Sequence, residues 1–313
     1  MMTSTRHAMA MAVVAILGFH DPIQAKEPDL CTQTSRAVRR ACESEALDDQ
    51  WIAVGVCTNL GDDDQRKTCR RTAKQTLQES RAECGEQFDA REQLCDAVGQ
   101  AAYAPPIDPS RFRSPQAAAM NPNPLFPLVP GTIWVYTGGG ETITVTVTGQ
   151  TKVIQGVACI VVHDVVVAGG QLVEDTLDYY AQDVGGSVWY FGELSQSFEN
   201  GELVDIEGSF TAGVNGAKAG VVMEAAPAVG DVYRQEFALG GAEDAGEILD
   251  VAASETVPAA SCTGTCLVTR DFTPLEPGHV EHKYYKPGVG QILGVNLETG
   301  VREELVSFTP GMP

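Results

Sequence analysis

The best-stocked polar stretch of the chain is Glu281-His282-Lys283-Tyr284-Tyr285. In an extended strand His279, Glu281, Lys283 and Tyr285 face one way, and Val280, His282 and Tyr284 face the other. A second stretch, Asp178-Tyr179-Tyr180-Ala181-Gln182-Asp183, leads by a turn into Trp189-Tyr190-Phe191-Gly192-Glu193. Arg234 and Arg270 are two of only seven basic residues beyond Arg113. A guanidinium in a cleft holds a carboxylate or phosphate through two parallel hydrogen bonds. A His, a Tyr and an Arg in one cleft could act as acid, base and charge neutraliser. The catalytic candidates are therefore His282, Tyr284, Tyr180 and Arg270, and the ligand-binding candidates are Arg270, Arg234, His282, Trp189 and Tyr180. The competing reading is that the aromatics pack a sheet and the charges pair across strands.

No nucleophile motif accompanies these groups. Gly208-Ser209-Phe210 lacks the second glycine of a nucleophile elbow, and no helix follows it. The chain has no His-Glu-x-x-His, no phosphate loop and no dinucleotide fingerprint. Beyond the N-terminal region only His163, His279 and His282 remain, and spacing alone does not make them a metal site. No metal site and no cofactor are assigned; Ca²⁺ stays open because of the acidic composition described below.

Six cysteines between Cys31 and Cys95 set the architecture of the first part. Cys31 with Cys95, Cys42 with Cys84, and Cys57 with Cys69 nest around Asp63, inside the turn-forming Gly61-Asp62-Asp63-Asp64. Such nesting fits two antiparallel helices stapled by three rungs, with helical patterns over 29–60 and 65–101. Three further cysteines are Cys159, Cys262 and Cys266. The favoured cross-link is Cys159–Cys266, with Cys262–Cys266 as its rival.

Disulfides need an oxidising space, and the N-terminus supplies a route to one. Arg6 and His7 precede an apolar run from Ala8 to Phe19, and Ala25 is a plausible cleavage point. That run is short of the ~20 residues a bilayer span needs. The expectation is a cleaved signal peptide over 1–25, no transmembrane segment, and a secreted or periplasmic protein. Residues 26–101 then form the cysteine-rich helical hairpin, 102–130 a proline-rich linker, and 131–313 an acidic antiparallel β domain. From Ser114 onward 7 basic residues face 25 acidic ones, a net of −18. That charge repels polyanions and excludes nucleic acid as a partner.

Period-two alternation begins at Ile133 and recurs through about a dozen runs, with Gly169-Gly170 and Gly185-Gly186 between strands. The fold class is α+β: the stapled hairpin, then a β half-barrel or barrel. Three turn-and-strand signatures carry a resemblance over residues 124–308. They are Pro130-Gly131-Thr132-Ile133-Trp134-Val135-Tyr136, Val229-Gly230-Asp231 and Tyr285-Lys286-Pro287-Gly288-Val289-Gly290. In these the chain resembles exported bacterial proteins with a curved antiparallel sheet, including lipoprotein-carrier-like half-barrels. The resemblance implies a concave face that takes an acyl chain or another small ligand. The functional expectation is a non-enzymatic ligand-binding or interaction protein, whose partner is a small molecule, an acyl or cationic ligand, or a protein. The alternatives are a secreted hydrolase or lyase on the same face, and a Ca²⁺-dependent binding module.

Overall fold

Turn chemistry at Gly61–Asp64 sets the hairpin. Asp62 is extended, and its carboxylate accepts the backbone N–H of Gln65 at 2.8 Å, capping the second helix. The computed structural model describes residues 29–313, so the signal peptide read over 1–25 lies outside the described residues. Helix α1 spans Leu30–Thr58 and α2 spans Asp63–Val98. Three disulfides join them in the nested order, Cys31–Cys95, Cys42–Cys84 and Cys57–Cys69. Little apolar surface lies between the helices. Ala46, Ala73, Leu77 and Leu94 are buried there, whereas Trp51 and Ile52 are 65% and 62% exposed. Covalent rungs thus stand in for a core too small to hold the pair. Gly99, at φ 93°, ends α2 in a conformation that side-chain-bearing residues avoid.

Residues 102–130 are laid down on the β domain. A 3-10 turn at Pro109–Arg111 and helix α3, Pro115–Met120, lie within them. Arg113 donates to the carbonyls of Asp183, Asn121 and Val184. Asn123 Nδ2 donates to the carbonyls of Gly186 and Glu224. Ala118 and Leu128, each 1% exposed, join the core of the β domain together with Phe126. The prolines exclude regular ladders, yet side-chain donors and apolar plugs pin the segment across one end of the sheet.

The sheet opens with a meander of β1 (Ile133–Gly138), β2 (Glu141–Ile154), β3 (Val157–Ala168), β4 (Gln171–Gln182) and β5 (Val188–Glu199). Short strands β6 (Glu202–Asp205) and β7 (Phe210–Thr211) pair with β5, and β8 (Lys218–Met223) continues its edge. Then come β9 (Val232–Arg234), β10 (Glu236–Phe237), β11 (Ala245–Val257) and β12 (Ala260–Phe272). The chain ends in β13 (Val280–Lys286), β14 (Gly290–Asn296) and β15 (Arg302–Thr309). The main path runs β10-β8-β5-β4-β3-β2-β1-β15-β14-β13-β12-β11-β9. Its two ends, β9 and β10, are separated in sequence only by Gln235. Arg234 pairs with Ala245 of β11, and Glu236 pairs with Ala219 of β8. One segment therefore serves both edges, and the sheet is a nearly closed antiparallel barrel rather than a half-barrel. A Cβ at Gly220 would collide with the carbonyl oxygen of Gln235, so the closest approach of β8 to this segment requires glycine.

The third cysteine group needs a correction. The disulfide is Cys262–Cys266, the rival pairing, and Cys159 is a buried free thiol. Cys159 packs with Ile154, Val161 and Phe191 in a cluster that Phe112 joins, whereas Cys262 and Cys266 belong to the main core with Leu128 and Trp134. Five strands separate β3 from β12 along the sheet. Pairing within β12 is possible because the strand bulges. Glu255 opposes Cys262 and Ala253 opposes Cys266, so two steps on β11 match four on β12. The two Cα atoms come within 5.7 Å.

The hairpin docks on the barrel through charge. Arg91 of α2 grips Glu243 with two parallel hydrogen bonds of 2.8 Å, and the two side chains are 4% and 1% exposed. Gln87 adds a bond of 2.9 Å to the carbonyl of Leu275. Among the described residues no helix is long and apolar enough to cross a membrane. The disulfides themselves place the chain in an oxidising environment.

Candidate functional site: an acidic barrel lumen

Alternation along each strand sends every second side chain into the barrel, and here the inward set is charged. It surrounds a cavity of about 370 Å³. Asp164 of β3, Glu174 and Asp178 of β4, Glu193 of β5 and Glu236 of β10 line one side. Among the described residues, Asp244 before β11, Asp271 of β12, Glu281 of β13 and Glu303 of β15 complete nine carboxylates, against the single ammonium of Lys283. Phe126, Leu128 and Trp134 form an apolar floor at the end sealed by the proline-rich segment. Glu174, Asp244, Glu281 and Glu303 sit at strand ends toward the opposite mouth.

The polar contacts are unevenly shared. Lys283 Nζ lies 3.2 Å from Asp271 and 3.6 Å from Glu281. Asp271 also accepts from Thr269 and Gln235. Across the lumen Tyr190 donates to Asp178, and Tyr190 stacks on Tyr180 with centroids 4.6 Å apart. Thr176 donates to Glu174 at 2.8 Å. Asp164 Oδ1 is buried without a hydrogen-bond partner among the described residues. Glu236 is only 9% exposed, and the charges of Asp244, Glu193 and Asp178 act on it more strongly than that of Lys283.

These environments move the protons. Burial, reinforced by Asp178 and Glu174, pushes Asp164 up to about 8. Burial pushes Asp178 up to about 7, against the Tyr190 hydrogen bond that lowers it. Glu193 rises to about 8 through burial and the charge of Asp178. Glu236, Asp244 and Glu303 are also raised, with burial the largest cause in each. Burial alone would depress Lys283, but Asp271 and Glu281 outweigh it and hold the ammonium well above its ordinary range. The lumen therefore carries a surplus of buried carboxylates that the protein's own cations do not neutralise.

The residues singled out in the sequence are distributed over three places. Tyr180 alone lies in the lumen. Arg270 does oppose His282 across β12 and β13, as their spacing suggests. Both sit on the strand faces opposite Asp271, Glu281 and Lys283, and so does Tyr284. Arg270 bonds Glu247 at 3.3 Å and lies over the ring of Phe272. Arg234 and Trp189 line a separate cavity between the hairpin and the barrel. The four catalytic candidates thus do not converge. His163 pairs with Asp175 at 2.8 Å and His279 with Glu281 at 3.9 Å. Among the described residues no three of His, Cys, Asp and Glu gather at metal-binding spacing.

The lumen carboxylates were missed in the sequence, although their signal is present. Glu281, Lys283 and Tyr285 alternate on one face of their strand, as do Asp178 and Tyr180. Fold and site together define a disulfide-stapled helical hairpin mounted on a nearly closed antiparallel barrel with an acidic interior. Compared with protein-family models, curated proteins and solved structures, the chain matches none. The resemblance to curved-sheet exported proteins therefore stands at the level of sheet architecture alone.

Proposed function

We propose that the barrel binds a small organic cation, with its charged end among the carboxylates and its apolar body on the floor of Phe126, Leu128 and Trp134. The observation that carries this reading is the nine-to-one imbalance of carboxylates over ammonium around one cavity. Buried charge is tolerated when it is paired, and a bound cation supplies the missing partner. A cavity of about 370 Å³ with an apolar wall and convergent polar groups has the size and make-up of a small-molecule site. The same lining disfavours a fatty acid, whose carboxylate would enter a field of its own sign. A Ca²⁺-dependent role competes for the same carboxylates. Their spread around the wall suits a cation whose charge sits on an extended body better than a compact ion needing six to eight oxygens at bonding distance. A hydrolase or lyase using His282, Tyr284, Tyr180 and Arg270 finds no support in their placement.

Calorimetric titration of the purified chain tests this with 1,4-diaminobutane, butylammonium, butanol, butanoate and calcium chloride. The ammonium compounds are expected to bind saturably at about 1 mM or tighter, and butanol and butanoate are not. Glu236→Gln should weaken ammonium binding by about tenfold, the worth of one charge-assisted contact. Equal binding of butanol would sink the charge argument, and saturable binding of calcium alone would transfer the lumen to the metal.

A further inference from the structure

A second cavity, of about 330 Å³, lies where the hairpin meets the barrel, and its chemistry is opposite in sign. Its charged lining is Arg91, Arg234 and Glu243. Glu243 is committed: it receives both arms of Arg91 and the backbone N–H of Gly240 at 2.7 Å. Arg234 is only 6% exposed, and its one hydrogen bond to a protein side chain runs from Nη2 to Cys31 Sγ at 3.4 Å, a weak acceptor. Arg234 Nε and Arg91 Nη1 are both buried with no acceptor among the described residues. Two guanidinium groups against one carboxylate leave the cluster one positive charge in excess, inside a chain whose formal net charge is −21.

The walls tell what kind of anion fits. Arg234 lies beside a tilted pair of rings, Tyr103 and Phe237, 5.8 and 5.2 Å from their centroids, which are 5.2 Å apart. Trp189, Val221 and Leu239 add further apolar surface. The aromatic faces hold the guanidinium plane and soften its burial, but they offer its N–H groups no lone pairs. A phosphate would bring a second negative charge and three strongly hydrated oxygens that these walls cannot satisfy. A monocarboxylate brings one charge, two oxygens matched to a guanidinium edge, and a body that can cover the apolar wall.

We infer that the hairpin–barrel junction is a binding site for a small monocarboxylate with an apolar or aromatic body, held by Arg234 and bounded by Tyr103, Phe237 and Trp189. The site is separate from the lumen, and its ligand has the opposite charge. Both the helical hairpin and the barrel contribute walls, so a ligand there ties the two together. This gives the stapled hairpin a role beyond bracing the sheet.

The test uses the purified chain with its disulfides intact and sodium benzoate as the probe, at ionic strength held constant with sodium chloride. Benzoate is expected to raise the melting temperature saturably, with an affinity of about 1 mM, and to change tryptophan emission through Trp189. Cyclohexanol and inorganic phosphate should do neither. Arg234→Met keeps the stem and removes the cation; the benzoate response should fall by about tenfold or more. Arg234→Lys keeps the charge and loses the fork, and should bind between the two. The inference is overturned if wild-type protein shows no saturable benzoate response, or if phosphate matches benzoate. It is also overturned if a folded Arg234→Met or Arg234→Lys chain responds like wild type.

Discussion

Arg91→Met is expected to cost about 3–5 kcal/mol and to loosen the hairpin from the barrel. The pair it breaks is almost fully enclosed, at 4% and 1% exposure, and both hydrogen bonds are 2.8 Å. Among the described residues, removing the guanidinium leaves Glu243 buried with the Gly240 N–H as its one hydrogen-bond donor, and with Arg234 near it but not bonded to it. The loss comes mainly from that stranded carboxylate, so Arg91→Met with Glu243→Gln should recover a large part of it. Salt should matter little, because a pair this enclosed is shielded from mobile ions. The three disulfides keep the hairpin itself intact, so the expected species has a folded hairpin attached through Gly99–Pro105 to a less stable barrel. Urea unfolding followed by tryptophan emission, with limited proteolysis at that connection, measures both effects. A single variant losing less than about 1 kcal/mol would show that the pair does not hold the interface.

The hairpin was legible because cysteine positions report three-dimensional distance directly. Nested spacings around Asp63 admit one simple arrangement, and Asp62 marks where the second helix begins. Strand positions were legible for a similar local reason, since paired glycines and period-two runs fix turns and ladders. Even the opposition of Arg270 and His282 follows from the short connection between β12 and β13. The pattern allowed a half-barrel or a barrel, and the choice between them was not legible. It depends on β9 and β10 lying on opposite sides of Gln235 and pairing with strands at the two ends of the path, and no spacing in the sequence encodes that.

The lumen carboxylates were passed over through the same gap. In an open curved sheet either face can be the working one, and His282 and Arg270 sit on the face with more familiar catalytic side chains. In a barrel the inward face is the one that encloses a volume, and it carries Glu281, Lys283 and Asp271. Small barrels are commonly filled by apolar side chains, so an inward face rich in carboxylates is read from sequence as the solvent side. Cys159 misled in a related way. Its strand position suggested a cross-link, but it packs in the cluster that Phe112 joins, not in the cluster that holds Cys266, and five strands separate the two along the sheet.

Raising the pH from 5 to 8 should destabilise the unliganded protein by at least about 2 kcal/mol, or roughly 5 °C in melting temperature. The sign follows from the direction of the shifts. Asp164, Asp178 and Glu193 have ordinary values of 3.8, 3.8 and 4.5, and in the folded chain they titrate near 8, 7 and 8. Between these limits the folded state holds protons that the unfolded state has released. Their contribution to stability is fully present below about pH 4, and it is lost as the pH rises through 7 to 8. Each such proton is worth about 1.4 kcal/mol per pH unit, and relaxation of the lumen as charge accumulates reduces the total. The groups facing Asp178 come from four strands: Glu174 and Tyr180 beside it on β4, Tyr190 and Glu193 on β5, Asp164 and His163 on β3, and Glu236 on β10. Only Tyr190, by hydrogen bonding, and His163, by charge, favour the ionised form of Asp178. Lys283, raised well above its ordinary range, keeps its charge throughout this interval and so does not alter the slope. Asp178→Asn should flatten the pH profile and raise stability at pH 8 relative to the parent. A bound organic cation should do the same without mutation, because it neutralises the ionised carboxylates in place. Its affinity should therefore rise from pH 5 to 8, with net proton release seen when calorimetry is repeated in buffers of different ionisation enthalpy. Melting temperatures that climb steadily from pH 5 to 8 in the absence of ligand would mean that these carboxylates are ionised and compensated in the folded chain, and the cation-binding reading of the lumen would lose its basis.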